Sequence, residues 1–215
     1  MVRANRVRGA SACRIIGDEN PLEGLMRLKS AREREVGEKS EHEWNRLLLE
    51  NLARPHIRLK NASIQFQAST DQAHPRNVVR LFSNGEEIAI ADVRVFKRKD
   101  KVEAVIEEFQ GRKPKEQMDV FRRNNGEYWN IFLVNAIKDA TYEGGFDRVL
   151  LRDVTTTMNY LNPVGHEGQT VEGLRQQMKQ LYTVTRKQCQ FTKREVLGKP
   201  GPAGIEFAYF VREFP

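Results

Sequence analysis

The sequence predicts an α/β fold built around a mixed, mainly antiparallel sheet flanked by helices. Three observations carry that prediction. Between about Ile57 and Gln110, apolar residues alternate with polar ones in "SIQFQAS", "NVVRLFS", "EIAIADVRVF" and "KVEAVIEEFQ", the period that lines one face of a strand. From Gly126 to about Gly144 the period becomes helical, and "FDRVLLRDV" follows at once. Strand, connection, helix and strand make a crossover, whose two strands lie side by side and parallel. The chain then closes on "QFTKREV", the turn "LGKPGPAG" and "IEFAYFVREF", a terminal hairpin.

The elements follow in order. "ACRIIG" reads as a short strand, and Asn20-Pro21 supplies an N-cap and N1 proline for a helix carrying Leu22, Leu25 and Met26. A second helix starts at a capping box, Ser40 with Glu43. It carries Trp44, Leu47, Leu48 and Leu52 on one stripe and stops at Pro55. Within the strand region, Ser83-Asn84-Gly85 marks a hairpin, because Asn-Gly tolerates the positive φ that such turns need. The stretch after Gln110 reads as a basic loop ending on Asn124-Asn125-Gly126. In the helix beyond it, Tyr128, Ile131, Phe132, Ala136, Ile137 and Ala140 share a face, and Gly144-Gly145 ends it. Residues 158–173 lack any period and read as a loop. A last helix, about Leu174 to Gln188, turns Leu174, Met178, Leu181 and Val184 inward. The expected organisation is a single domain over 1–215: N-terminal helices at about 20–54, sheet and central loop at about 57–155, terminal helix and hairpin at about 174–215.

Composition narrows the class. No apolar run approaches the ~20 residues of a membrane helix. The N-terminus lacks the continuous apolar stretch of a secretory signal, so a cytoplasmic location without membrane contact is expected. Cys13 and Cys189 stand far apart, and the four histidines form no ligand spacing, so no disulfide or metal site is expected. The net charge of +7 favours anionic partners such as nucleotides, phosphorylated cofactors or nucleic acid, although no nucleic-acid motif accompanies it. The basic residues concentrate at Lys97 to Lys101, Gly111 to Lys115 and Arg122-Arg123, and the last two groups lie in the central loop.

Arg123-Asn124-Asn125-Gly126-Glu127-Tyr128, set between an apolar strand and a helix, resembles the pyrophosphate loop of the GCN5-related N-acetyltransferases, Arg/Gln-x-x-Gly-x-Gly/Ala. The order of elements resembles that family over most of the chain. Leu181-Tyr182 followed by Phe191 is similar to the family's leucine-tyrosine, glycine-phenylalanine pattern stretched by about one helical turn. Tyr128 replaces a small residue, Gln190 replaces the glycine, and the loop is longer than in the family. The resemblance implies a splayed parallel strand pair, acetyl-CoA as acyl donor and an unidentified amine as acceptor. It implies that Arg122, Arg123, Asn124, Asn125, Gly126 and Tyr128, with Gln110 at the strand end, hold the coenzyme. Tyr182 would then protonate the departing thiolate, and its replacement by Phe should change stability little.

Glu107 and Glu108 end the strand beside the expected cleft. Neighbours on a strand point to opposite faces, so one carboxylate should face the cleft, where it can draw a proton from an amine. Two other readings stay open. Asp92 on one strand with Glu108-Phe109-Gln110 on the next resembles the acid, acid-x-lysine core of restriction-endonuclease-like nucleases, with Gln110 in the lysine position. There the two carboxylates would hold Mg²⁺. An acetyltransferase-like fold serving as a non-catalytic binding or assembly module is the third.

Overall fold

The computed structural model describes residues 31, 33–54, 62–68, 76–98, 101–112, 115–163, 169–197 and 207–214. The strand and helix expected before residue 31 lie outside them. Helix α1 (Glu41–Leu52) begins as the sequence requires: Ser40 Oγ accepts the Glu43 amide, and the Glu43 carboxylate accepts the Ser40 amide. Its stripe buries Trp44, Leu48 and Leu52. The next four strands are β1 (Ala62–Ala68), β2 (Arg76–Ser83), β3 (Glu86–Lys97) and β4 (Val102–Gly111). They form an antiparallel meander, and Asn84 and Gly85 both take positive φ at the turn between β2 and β3.

After β4 the structure departs from the expected loop. Lys115–Asn125 is a helix, α2, which buries Phe121 fully. Helix α3 (Trp129–Glu143) follows, then β5 (Arg148–Arg152), a 3₁₀ turn at Val154–Thr156 and a one-turn helix, α4 (Met158–Leu161). The chain continues with α5 (Val171–Gln188), β6 (Lys193–Val196) and β7 (Ala208–Glu213). The seven strands form one sheet in the order β1-β2-β3-β4-β5-β7-β6. Only β4 and β5 run parallel, as the crossover demands.

One face of the sheet carries the core. Ala89, Ala91, Val93 and Val95 of β3, Val102, Ala104 and Ile106 of β4, and Val149 and Leu151 of β5 meet Leu48 and Trp44 of α1 and Leu133, Val134 and Ile137 of α3. Each large aliphatic residue fully buried here contributes about 1.5–3 kcal/mol. A smaller cluster, Val105, Leu150 and Val211, forms on the opposite face.

Two polar ties fix the register at the start of the parallel pair. The Val102 amide donates to the Asp147 carboxylate at 2.7 Å, and the Asp147 amide donates back to the Val102 carbonyl at 3.0 Å. Beside them Glu103 of β4, 1% exposed, is the register partner of Arg148 on β5. The Arg148 guanidinium donates to the Glu103 carboxylate through Nε at 2.7 Å and reaches Glu195 of β6 at 2.9 Å, so the pair spans the sheet from β4 to its β6 edge. Arg148→Met would leave a buried carboxylate with only the half-exposed Arg98, 3.2 Å away. Urea denaturation should show a loss of about 3–5 kcal/mol, and much of it should return in Glu103→Met/Arg148→Met, since removing both charges removes the desolvation cost as well.

Candidate active site

Strands β4 and β5 pair over only four residues each, from Glu103 with Arg148 to Ile106 with Leu151. Beyond Ile106, β4 continues for five residues along β3, while β5 ends one residue after Leu151. The two strands therefore fork. The backbone of β4 past the fork has lost its neighbour on one side, and its polar groups need other partners. Tyr182 supplies one: the Phe109 amide donates to the phenol oxygen at 3.1 Å. The Tyr182 ring stacks on the Phe109 ring with centroids 4.3 Å apart, and Trp129 meets Phe109 edge-on.

A bulge accompanies the fork. Asp92 pairs with Glu108 but Val93 pairs with Ile106, so Glu107 is the extra residue in β4. The alternation of faces slips there, and Ile106 and Phe109 both enter the main core. Glu107 and Glu108 then share the other side, which corrects the expectation of opposite faces. They meet different partners. Glu107 accepts a hydrogen bond from Arg152 at 2.8 Å, and Arg152 also holds the Thr156 carbonyl at 2.7 Å. Glu108 accepts instead from the amide of Asn159 on α4. Burial pushes the Glu108 carboxyl above its ordinary range, against the pull of Asn159 and Arg152, with Asp92 and Glu107 adding to the rise. Burial raises the Tyr182 phenol strongly as well, so it keeps its proton.

Past the fork, a cavity of about 380 Å³ lies between the end of β4, α4 and α5. Glu108, Gln110 and Asn159 give it a polar wall, Leu174, Met178 and Leu181 of α5 an apolar one, and Phe109 and Tyr182 also line it. At the end of β4, Gly111 admits α2 and α3 closely: a Cβ there would lie 2.7 Å from Met118 and 3.2 Å from Trp129.

The expected coenzyme loop is placed differently. Arg122, Arg123, Asn124 and Asn125 form the last turn of α2, and the Gly126 amide donates to the Arg122 carbonyl at 2.8 Å. That amide is not free for a phosphate. Gly126 takes φ +77°, the left-handed stop that glycine favours after a helix. The open helix start lies three residues on, at Trp129 of α3, where Tyr128 makes no side-chain cap. Tyr128 is 44% exposed and lies under the Arg122 guanidinium at 4.2 Å, rather than on the buried stripe of α3. Arg122, Arg123 and Gly126 line a second, open cavity of about 660 Å³ with Glu116 and Asp119. The structure thus gathers Glu107, Glu108, Gln110 and Tyr182 at the fork and Arg122, Arg123 and Gly126 around a separate cavity.

Helix α5 is turned slightly from its expected face. Tyr182 and Thr185 are buried, and Val184 is exposed. The Asn130 amide of α3 donates to Thr185 Oγ1 at 2.6 Å, a buried tie that holds α5 to the start of α3. Gln190 after α5 has φ +64°, a conformation ordinarily left to glycine. Cys189 is a core residue, its thiol pushed up to about 12 by burial. Neither Asn159 nor Arg152 carries a sequence signal, since Asn159 sits in a stretch without period and Arg152 ends an apolar strand. Among the described residues no cluster of three or more His, Cys, Asp or Glu side chains could hold a metal ion, and no helix is long and apolar enough to cross a membrane. Comparison with protein-family models and with curated proteins finds no match for this chain.

Two outcomes follow from this geometry. Tyr182→Phe strands the buried Phe109 amide, so urea denaturation should show a loss of about 1–3 kcal/mol rather than the near-neutral change expected from packing alone. Glu108→Gln keeps an oxygen for Asn159 but cannot ionise. Because folding raises the Glu108 carboxyl, the native state binds the proton more tightly than the unfolded chain, and stability falls as pH rises from the ordinary carboxylate range toward the raised folded value. Wild type should therefore lose stability relative to Glu108→Gln as pH is raised from about 4 toward neutrality, in melts followed by circular dichroism.

Proposed function

We propose that the chain is an acyltransferase of the GCN5-related N-acetyltransferase type, which moves an acetyl group from acetyl-CoA to an amine. The observation that carries this reading is the fork: a parallel strand pair that parts after four residues, with a buried, protonated phenol and a carboxyl of raised affinity for protons at its mouth. The chemistry needs those two groups. Attack of a neutral amine on the thioester carbonyl forms the C–N bond and breaks the C–S bond; the amine nitrogen must lose a proton and the departing sulfur must gain one.

Glu108 suits the first role because it is half-buried, faces the cavity and is not tied up in an ion pair as Glu107 is. A carboxyl raised toward neutrality takes a proton more readily than an ordinary one. Tyr182 suits the second role, because its oxygen already accepts the Phe109 amide and its O–H remains to be given. The anionic end of the coenzyme would be met by the Arg122 and Arg123 side chains and the uncapped start of α3, not by the amides of Asn125 and Gly126.

The nuclease reading draws on the pairing of Asp92 with Glu108 across adjacent strands. Glu108 of that pair already accepts the Asn159 amide, and Glu107 beside it already holds Arg152, where a metal ion would need free carboxylate oxygens.

The test is ligand-dependent melting followed by turnover. Acetyl-CoA at about a hundred times its dissociation constant should stabilise the native state by about 2.7 kcal/mol. With an accepted amine, Tyr182→Phe should lower kcat by ~10²-fold or more and leave coenzyme affinity nearly unchanged. Stabilisation with no turnover in wild type or variant would favour the non-catalytic module. Mg²⁺-dependent cleavage of DNA without any response to acetyl-CoA would favour the nuclease.

A further inference from the structure

Helix α4 is a single turn, and a single turn is too short to hold itself, because helix nucleation fixes several residues for one hydrogen bond. Its start is capped from within: the Thr157 side chain accepts the Tyr160 amide. Its end is held from outside. Arg175 of α5 donates through Nε to the Tyr160 carbonyl and through an Nη to the Leu161 carbonyl, each at 3.1 Å. These are terminal carbonyls with no partner inside the turn, and a guanidinium fork beside them also meets the negative end of the helix dipole. The Tyr160 ring adds to the clamp, with Arg175 at 5.7 Å and Lys179 at 5.4 Å from its centroid. The clamped turn presents Asn159, whose amide donates to Glu108 across 51 residues of sequence.

We infer that Arg175 is a positioning residue for Glu108: by gripping the carbonyls of the 158–161 turn it holds Asn159 against the carboxylate and so fixes the direction in which Glu108 faces the fork cavity. As a role in acyl transfer, this rests on the proposed function; as a structural linkage, it does not. The charged and titratable groups facing Glu108 are Asp92 from β3, Glu107 from β4, Arg152 from β5 and Tyr182 from α5. Asn159 is the neutral donor among them. Its bond favours the ionised carboxylate, opposing burial.

The test is an NMR titration of the Glu108 side-chain carboxyl in the full chain, assigned by its loss in Glu108→Gln. Asn159→Ala should move the midpoint upward, and Arg175→Ala should move it in the same direction. The decisive comparison is the double variant. If Arg175 acts through the turn, adding Arg175→Ala to Asn159→Ala produces no further shift. A shift of equal size in both backgrounds would mean that Arg175 acts only through its charge, and would overturn the inference. An unmoved midpoint in Asn159→Ala or in Arg175→Ala would overturn it as well. Should Arg175→Ala fail to fold by circular dichroism, Arg175→Lys serves in its place. It keeps the charge but loses the two-pronged grip, so an upward shift supports the linkage and an unchanged midpoint refutes it. Failure of acetyl-CoA to bind would sink the proposed function and leave this titration unaffected.

Discussion

The short parallel contact between β4 and β5 is the constraint on which the rest of the structure depends. Parallel neighbours require a crossover, and here the crossover helix α3 covers the core face of both strands. The contact is pinned at one end by Asp147 and by the buried pair of Glu103 and Arg148, and it ends where β4 bulges at Glu107. A long β4 beside a five-residue β5 leaves a wedge in the sheet. The wedge removes ladder partners from the β4 backbone, and the Tyr182 phenol that fills the gap brings α5 to the same place. The cavity, the carboxyl group in it and the phenol beside it all follow from where the two strands stop pairing.

The two adjacent glutamates show how little sequence separation is needed to give identical side chains different chemistry. Both reach the same side because of the bulge. Glu107 is neutralised by a guanidinium that also fastens the 3₁₀ turn after β5, so it acts as a structural anion. Glu108 receives a neutral amide in place of a cation, and its desolvation is left partly uncompensated. Burial raises the affinity of that carboxyl for protons, and the Asn159 amide and Arg152 offset part of the rise.

Much of this was legible in the sequence, and the failures have physical causes. Period-two segments, the Asn84-Gly85 turn, the Ser40 capping box and the crossover into β5 are local signals, and the structure follows them. Helix α2 reads as a loop in the sequence because, of its eleven residues, Phe121 and Met118 are the ones that pack on the core, too few to register as a stripe among charges. The bulge carries no local signal, since either glutamate could be the extra residue. It is fixed by Ile106 and Phe109 both seeking the core, a tertiary demand. Tyr182 stands out in the sequence by its pattern with Phe191, whereas Asn159 sits on a one-turn helix whose last carbonyls are held by Arg175 of α5, a tertiary contact with no local sequence signal.

Helix α2 also changes how an anion would be held near α3. In a tight glycine loop, backbone amides can converge on a phosphate. Here the residues that would supply them are wound into the last turn of α2, and their amides are spent inside it. The same winding throws Arg122 and Arg123 outward into an open cavity, where the Arg122 guanidinium lies 4.2 Å from the centre of the Tyr128 ring. What faces the open cavity at the end of α2 is therefore side-chain charge rather than a set of converging backbone amides. Asp119 and Glu116 share that cavity and offset part of the positive charge, so an anion there is met by a weaker and more solvated field than a phosphate loop provides. A ligand bound beside the fork would draw its orientation chiefly from the wall between β4 and α5, where Phe109 and Tyr182 are buried and stacked on each other.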